Sequence, residues 1–131
     1  MRRNRMQAFS RRLVAENRLS TDDLIWPLFV IEGKNQSEAI DAMPGVLRHS
    51  IDRLLKQAHQ AVELGIPAIA IFPSIDASLK DSSGSLSQDG DNLVCRAVRA
   101  VKSAYPDLGI VCDVALDPFT DHGHDGLMKA D

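Results

Sequence analysis

The chain has few cysteines, no long apolar run and no large charge excess. Its two cysteines, Cys95 and Cys112, show no CxxC or zinc-ligand spacing, and both sit in apolar-patterned segments where reduced, buried cysteine is common, so a cytoplasmic setting is expected. No apolar stretch approaches the roughly 20 residues needed to span a bilayer, and no signal-peptide core follows the basic start; neither membrane insertion nor export is expected. A net charge of −3 offers no general attraction to nucleic acid. No GxGxxG or Walker sequence follows any apolar run, which removes the usual argument for a nucleotide-binding open sheet. No internal repeat is visible. What remains is ordinary for one globular domain: 131 residues, 44% hydrophobic and 25% charged.

Hydrophobic spacing gives the organisation. Residues 1–18 carry Arg2, Arg3, Arg5, Arg11, Arg12 and Arg18 around Met6, Phe9, Leu13 and Val14, the pattern of a short basic amphipathic helix. A packing arm for a partner subunit and a solvated helix both fit it; Glu16 and the overall acidity count against nucleic-acid binding or organelle targeting. Residues 24–31 read as a buried strand and 32–49 as a loop with a Met43-Pro44-Gly45 turn. A helix begins at Ser50 as N-cap, repeats Ile51, Leu54, Leu55, Ala58, Ala61 and Val62 on one face, and ends at Gly65. A strand over 68–72 follows. Residues 74–90, rich in Ser, Asp and Gly, are long enough for a mobile lid or a functional loop. A second helix is expected from about Asp91, with Leu93, Val94, Ala97, Val98 and Val101 inward, then a third strand over 110–116.

Strand, helix, strand, helix, strand is a run of βαβ units, so a parallel α/β sheet is expected. Functional residues of barrels gather at the C-terminal ends of strands, and the chemistry of this chain lies there: residues 110–126 hold four aspartates and two histidines. With 110–116 as a strand, Asp113 and Asp117 share a face, and a carboxylate in an apolar strand needs a partner, a proton or a metal. The bland alternative is a DPFTD turn with Asp117 and Asp121 bonding their own backbone and His122 and His124 exposed. It leaves Asp113 unexplained. Three strands cannot close a barrel of eight, so the chain reads as the first third or so of a barrel of roughly 250 residues or more.

The segment DVALDPFTDHGHDG, residues 113–126, resembles the metal-site segment of the porphobilinogen synthase (delta-aminolevulinic acid dehydratase) family. The resemblance extends through RRNR at 2–5, DLIWPLFVIEG at 23–33, MPGV at 43–46, LGIPAIAIFP at 64–73 and RAVRAVK at 96–102. It implies the N-terminal portion of a TIM (β/α)8 barrel, with an N-terminal arm over 1–22 and barrel from 23 to 131. The implied reaction condenses two molecules of 5-aminolevulinate, with loss of two waters, to porphobilinogen, the pyrrole unit of haem and other tetrapyrroles. Homo-octamers assembled through the arms are implied as well.

Zinc-type members hold their metal with three cysteines, and those positions here are Ala115, Asp117 and Asp125. The resemblance therefore points to the aspartate-rich branch that uses magnesium, in some members with a monovalent cation, with Asp117 and Asp125 as metal ligands. Asp113 matches an active-site aspartate that supports proton transfers or balances lysine charge. For His122 and His124, ligation and loop shaping both remain open. The family's two Schiff-base lysines lie on later strands. The lysines here, Lys34, Lys56, Lys80, Lys102 and Lys129, sit in no apolar strand and read as solvated, with Lys80 nearer the site mouth. The isolated chain is accordingly expected to be inactive. Two other readings are a barrel metallohydrolase with His122 and His124 as an HxH metal pair, and a non-catalytic piece that modulates assembly of full-length subunits.

Overall fold

The computed structural model describes residues 2–128. At the N-terminus, α1 (Arg3–Met6) and α2 (Ala8–Leu13) replace the single expected helix. The break falls at Gln7, whose backbone is extended, and neither helix buries a residue. Met6, Phe9 and Leu13 stay 73%, 67% and 81% exposed, so nothing among the described residues covers the arm's apolar side. A capped turn at Thr21–Asp23 separates arm from sheet: Ser20 Oγ accepts from the Asp22 amide at 3.2 Å, and Asp23 Oδ2 accepts from the Ser20 amide at 2.7 Å.

The sheet has five strands: β1 (Ile25–Ile31), β2 (Ser37–Ala39), β3 (Leu47–Ser50), β4 (Ala68–Pro73) and β5 (Gly109–Cys112), in the order β2-β3-β1-β4-β5. Only β2 is antiparallel, to β3; all other pairs are parallel. The expected 32–49 loop is therefore corrected to a hairpin laid along the upper edge of β1, with Phe29 opposite Arg48 and Ile31 opposite Ser50. Its strands are short and polar, and β2 is exposed throughout, so their backbone pairing leaves no hydrophobic alternation to read.

Two helices connect the parallel strands, α3 (Ile51–Glu63) and α4 (Leu93–Ala104). Leu28 and Val30 of β1, with Ile69 and Ile71 of β4, pack against Leu54, Ala58 and Ala61 of α3 and Leu93, Ala97 and Val101 of α4 in one core. Both helices thus cover the same face of sequentially ordered strands, the winding of a barrel; a doubly wound sheet has helices on both faces. Val62, expected inward, is 46% exposed. α3 closes where expected: Gly65, at φ +71°, adopts the left-handed conformation that places the Ile66 amide on the Ala61 carbonyl at 2.9 Å.

Ser50 does not cap α3 with its side chain, because β3 runs directly into the helix and Ser50 ends the strand. Its buried hydroxyl accepts from the Gln36 amide at 2.9 Å and donates to Asp52 Oδ1 at 2.7 Å. Both Asp52 oxygens also accept from the Asn35 amide at 3.0 Å, which moors the hairpin to the helix start. The Ser50 hydroxyl, then the Asn35 amide, hold the Asp52 carboxyl below its ordinary range. Asn92 caps α4 through the Cys95 amide at 3.0 Å, so this helix starts at Leu93 and not at Asp91.

Candidate active site

β5 ends at Cys112, which corrects the expected 110–116 strand. The ladder stops with Ile71 opposite Cys112 because β5 has only β4 beside it, and after Cys112 the chain leaves the sheet. Asp113 and Asp117 therefore share no strand face, and Asp113 is exposed, not buried. Asp113 therefore carries no burial cost that a metal or partner must offset. Asp113 instead lines a groove of about 440 Å³ between α4 and the chain beyond β5, with Cys95, Val98, Cys112, Val114 and Phe119, on the helix side of the sheet. Partial burial raises the pKa of the Cys112 thiol there, with the Cys95 thiol adding to the shift, so Cys112 is a poor nucleophile.

Residues 116–125 form a closed, anchored loop. The Phe119 and Thr120 amides both donate to the Leu116 carbonyl, at 2.8 and 3.1 Å, and Phe119 and Thr120 are buried. Asp125 Oδ1 accepts from the Leu116 amide at 2.7 Å, and Thr120 Oγ1 donates to the His124 carbonyl at 3.0 Å. Asp117 is exposed on the turn between these anchors. His122 Nδ1 accepts from the His124 amide at 3.1 Å, so its Nε2 carries the proton that it donates to the Ser82 carbonyl at 3.3 Å. Both ring nitrogens are spent on backbone. This leaves His122 no lone pair for a metal and counts against an HxH metal pair, although the two imidazoles stack at 5.7 Å.

No group of three His, Cys, Asp or Glu side chains poised to hold a metal occurs among the described residues. The donors present are carboxylates, hard oxygen ligands that suit magnesium better than zinc. Magnesium is commonly held by one or two carboxylates with waters completing its shell, so Asp117 and the free oxygen of Asp125 fit it in kind and number. A zinc cage of soft ligands does not fit.

Two features of the site escape sequence reasoning. Phe29 and Phe72 are register partners on the sheet face opposite the helices, their rings 5.7 Å apart, half-buried beside the strand ends. Their phase against Leu28, Val30, Ile69 and Ile71 was the available signal. The other is Asp81, in the polar 74–90 segment, which pairs with the 116–125 loop. Among the lysines, Lys80 is half-buried beside Asp81 and not simply solvated. Lys102 is exposed but tethered, donating to the Pro106 and Leu108 carbonyls at 2.9 and 2.8 Å. Lys34 and Lys56 are exposed, and Lys129 lies outside the described residues.

Parallel strands singly wound by helices, with a carboxylate-bearing loop beyond the third barrel strand, define the class: the N-terminal portion of a (β/α)8 barrel. The family model for delta-aminolevulinic acid dehydratase matches residues 1–131. The chain is 57% identical over 127 residues to the delta-aminolevulinic acid dehydratase of Bradyrhizobium diazoefficiens, covering 97% of this chain and 36% of that protein. It is 46% identical to the Chlamydia pneumoniae protein of the same name, covering 97% and 38%. The crystal structure of delta-aminolevulinic acid dehydratase (porphobilinogen synthase) from Toxoplasma gondii ME49, in complex with the reaction product porphobilinogen, superposes with a TM-score of 0.91 at 42% identity. That match covers 98% of this chain and 36% of that one. The chain belongs to the delta-aminolevulinic acid dehydratase family and spans little more than a third of the length of these relatives.

Proposed function

We propose that this chain is the N-terminal part of a porphobilinogen synthase, a lyase that condenses two molecules of 5-aminolevulinate with loss of two waters, and that it supplies the carboxylate half of the active site. The observation that carries this reading is the anchored 116–125 loop with Asp117 and Asp125, just beyond Asp113 and the third barrel strand, in a chain 57% identical to a dehydratase of that name. Asp113, exposed just beyond the third barrel strand, exchanges protons with the condensing substrates. The ring pair Phe29 and Phe72, on the face opposite the helices, walls the lumen side of the strand ends. The amine nucleophiles toward the substrate ketones belong to the later strands of the relatives' barrel. Without them the chain turns nothing over alone.

Asp117 and Asp125 would hold magnesium, with a monovalent cation as a second ion. A divalent cation supplies positive charge for oxygen atoms that become more basic during the reaction. The arm, with Met6, Phe9 and Leu13 outward, packs on a neighbouring subunit of a homo-oligomer, an octamer in this reading. Two free cysteines support a cytoplasmic site of action; among the described residues no helix is long and apolar enough to cross a membrane.

A chimera tests the reading: residues 1–131 replace the matched segment of the Bradyrhizobium diazoefficiens relative, and porphobilinogen formation is followed with magnesium, with zinc, and with a zinc-selective chelator. The expected result is turnover that needs magnesium and resists the chelator. A folded chimera that makes no porphobilinogen contradicts the function, and one that needs zinc contradicts the metal assignment.

A further inference from the structure

The 74–90 segment is bonded to the aspartate loop at several points. Asp81 Oδ1 accepts from the amide and hydroxyl of Ser83, both at 2.8 Å, and from the Ser85 amide at 3.1 Å. Asp81 Oδ2 accepts from the Ser85 hydroxyl. One carboxylate thus shapes the whole 81–85 turn, and the Ser85 hydroxyl, then the Ser83 hydroxyl and the two amides, keep it ionised far below the ordinary carboxylate range. The turn so shaped meets the other loop through backbone: the Asp81 amide donates to the Phe119 carbonyl at 3.4 Å and the Asp121 amide to the Asp81 carbonyl at 3.1 Å. His122 adds the bond to the Ser82 carbonyl.

Gly84 shows how close the two loops lie. It is buried at φ +61°, and a Cβ there would stand 3.3 Å from Thr120 Cγ2, 3.4 Å from Leu116 Cδ2 and 3.5 Å from the Phe119 Cβ. A side chain at this position is strained by backbone and by neighbours together. Asp76, earlier in the same segment, builds a similar small turn by accepting from the Ser78 amide at 2.8 Å and its hydroxyl at 2.6 Å. It takes no part in the bonds to the aspartate loop, which makes it an internal control.

We propose that residues 81–85 are a fixed clasp, not a lid, and that Asp81 is the positioning residue that sets where Asp117 and Asp125 stand. The use made of that position rests on the enzymatic reading above; the clasp itself does not. Both Asp81 carboxylate oxygens are spent on the 81–85 turn. The residue acts through the Asp81–Thr120 bridge and through the His122 tautomer.

The test is amide exchange and ring-¹⁵N NMR on the 131-residue chain, without substrate. Asp81→Ala is expected to speed exchange in residues 116–125 by about tenfold or more, to leave α3 unchanged, and to abolish the single Nε2–H tautomer of His122. Asp81→Asn, which keeps one acceptor oxygen, should fall between. Asp76→Ala should change neither readout. The proposal is overturned if Asp81→Ala loosens residues 81–88 while 116–125 and the His122 signature stay as they were, or if Asp76→Ala has the same effect. Should Asp81→Ala also expose α3, Gly84→Ala decides by the same two readouts: loosening of 116–125 supports the clasp and its absence overturns it. In the chimera, Asp81→Ala should lower kcat with KM little changed. Because exchange is read without turnover, an inactive chimera with a normal exchange pattern sinks the enzymatic reading and leaves the clasp standing.

Discussion

Asp113→Ala in the chimera is expected to lower kcat by about 10²- to 10⁴-fold, the range lost when a positioned proton-transfer group is removed. The geometry makes this a clean substitution. Asp113 follows directly on the last paired residue of β5, is exposed, and lies outside every strand and helix. Its removal should therefore leave the melting temperature almost unchanged, within about 0.5 kcal/mol of stability. Asp113→Asn keeps the shape but neither accepts a proton nor balances a lysine charge, so it sets both of those roles apart from mere space-filling. Both variants should fall together. A variant that keeps activity within about threefold would remove Asp113 from the reaction and leave Asp117 and Asp125 as the functional carboxylates.

Leu54→Ala should destabilise the fold by about 2–5 kcal/mol, read from urea midpoints at unchanged slope. Leu54 is fully buried where α3 meets β1 and β4, in the core that also holds Val30, Ile69 and Val101. Truncation leaves a void between helix and sheet that close-packed neighbours fill only in part. Against a typical domain stability of about 5–15 kcal/mol, that loss is large enough to unfold a marginal chain. Val62→Ala, on the same helix but 46% exposed, serves as the comparison and should cost well under half as much. Equal losses at the two positions would mean that the helix does not dock as described.

The elements that sequence pattern located best are those whose burial is one-sided and regular. α3 and α4 carry apolar residues at helical spacing, and β1 and β4 are apolar runs between turn residues; all four stand within two residues of expectation. The β2 and β3 hairpin was not legible because its strands gain their place by backbone pairing along β1, and Ser37, Glu38 and Arg48 carry no apolar signature. β5 was read four residues too long for the opposite reason. Val114 and Leu116 continue the alternation, but alternation makes a strand only where a neighbour supplies hydrogen bonds, and Val114 is 97% exposed.

The composition of the site was legible and its construction was not. Asp113, Asp117 and Asp125 could be picked out from their density in one loop. That Asp125 spends an oxygen on the Leu116 amide, and His122 both ring nitrogens on backbone, is information about which groups come within hydrogen-bonding distance, which spacing along the chain does not encode. Asp81 was hidden further still, because a Ser- and Gly-rich stretch reads as a connector until its partner loop is known.

The most direct test of the account is to locate the amine that captures the substrate. The chimera is incubated with 5-aminolevulinate, reduced with borohydride to fix any imine, digested and mapped by mass. Adducts are expected on lysines outside residues 1–131 and none on Lys34, Lys56, Lys80, Lys102 or Lys129. An adduct on one of these five, above all on half-buried Lys80 beside the clasp, would contradict the assignment of this chain to the carboxylate half of the site.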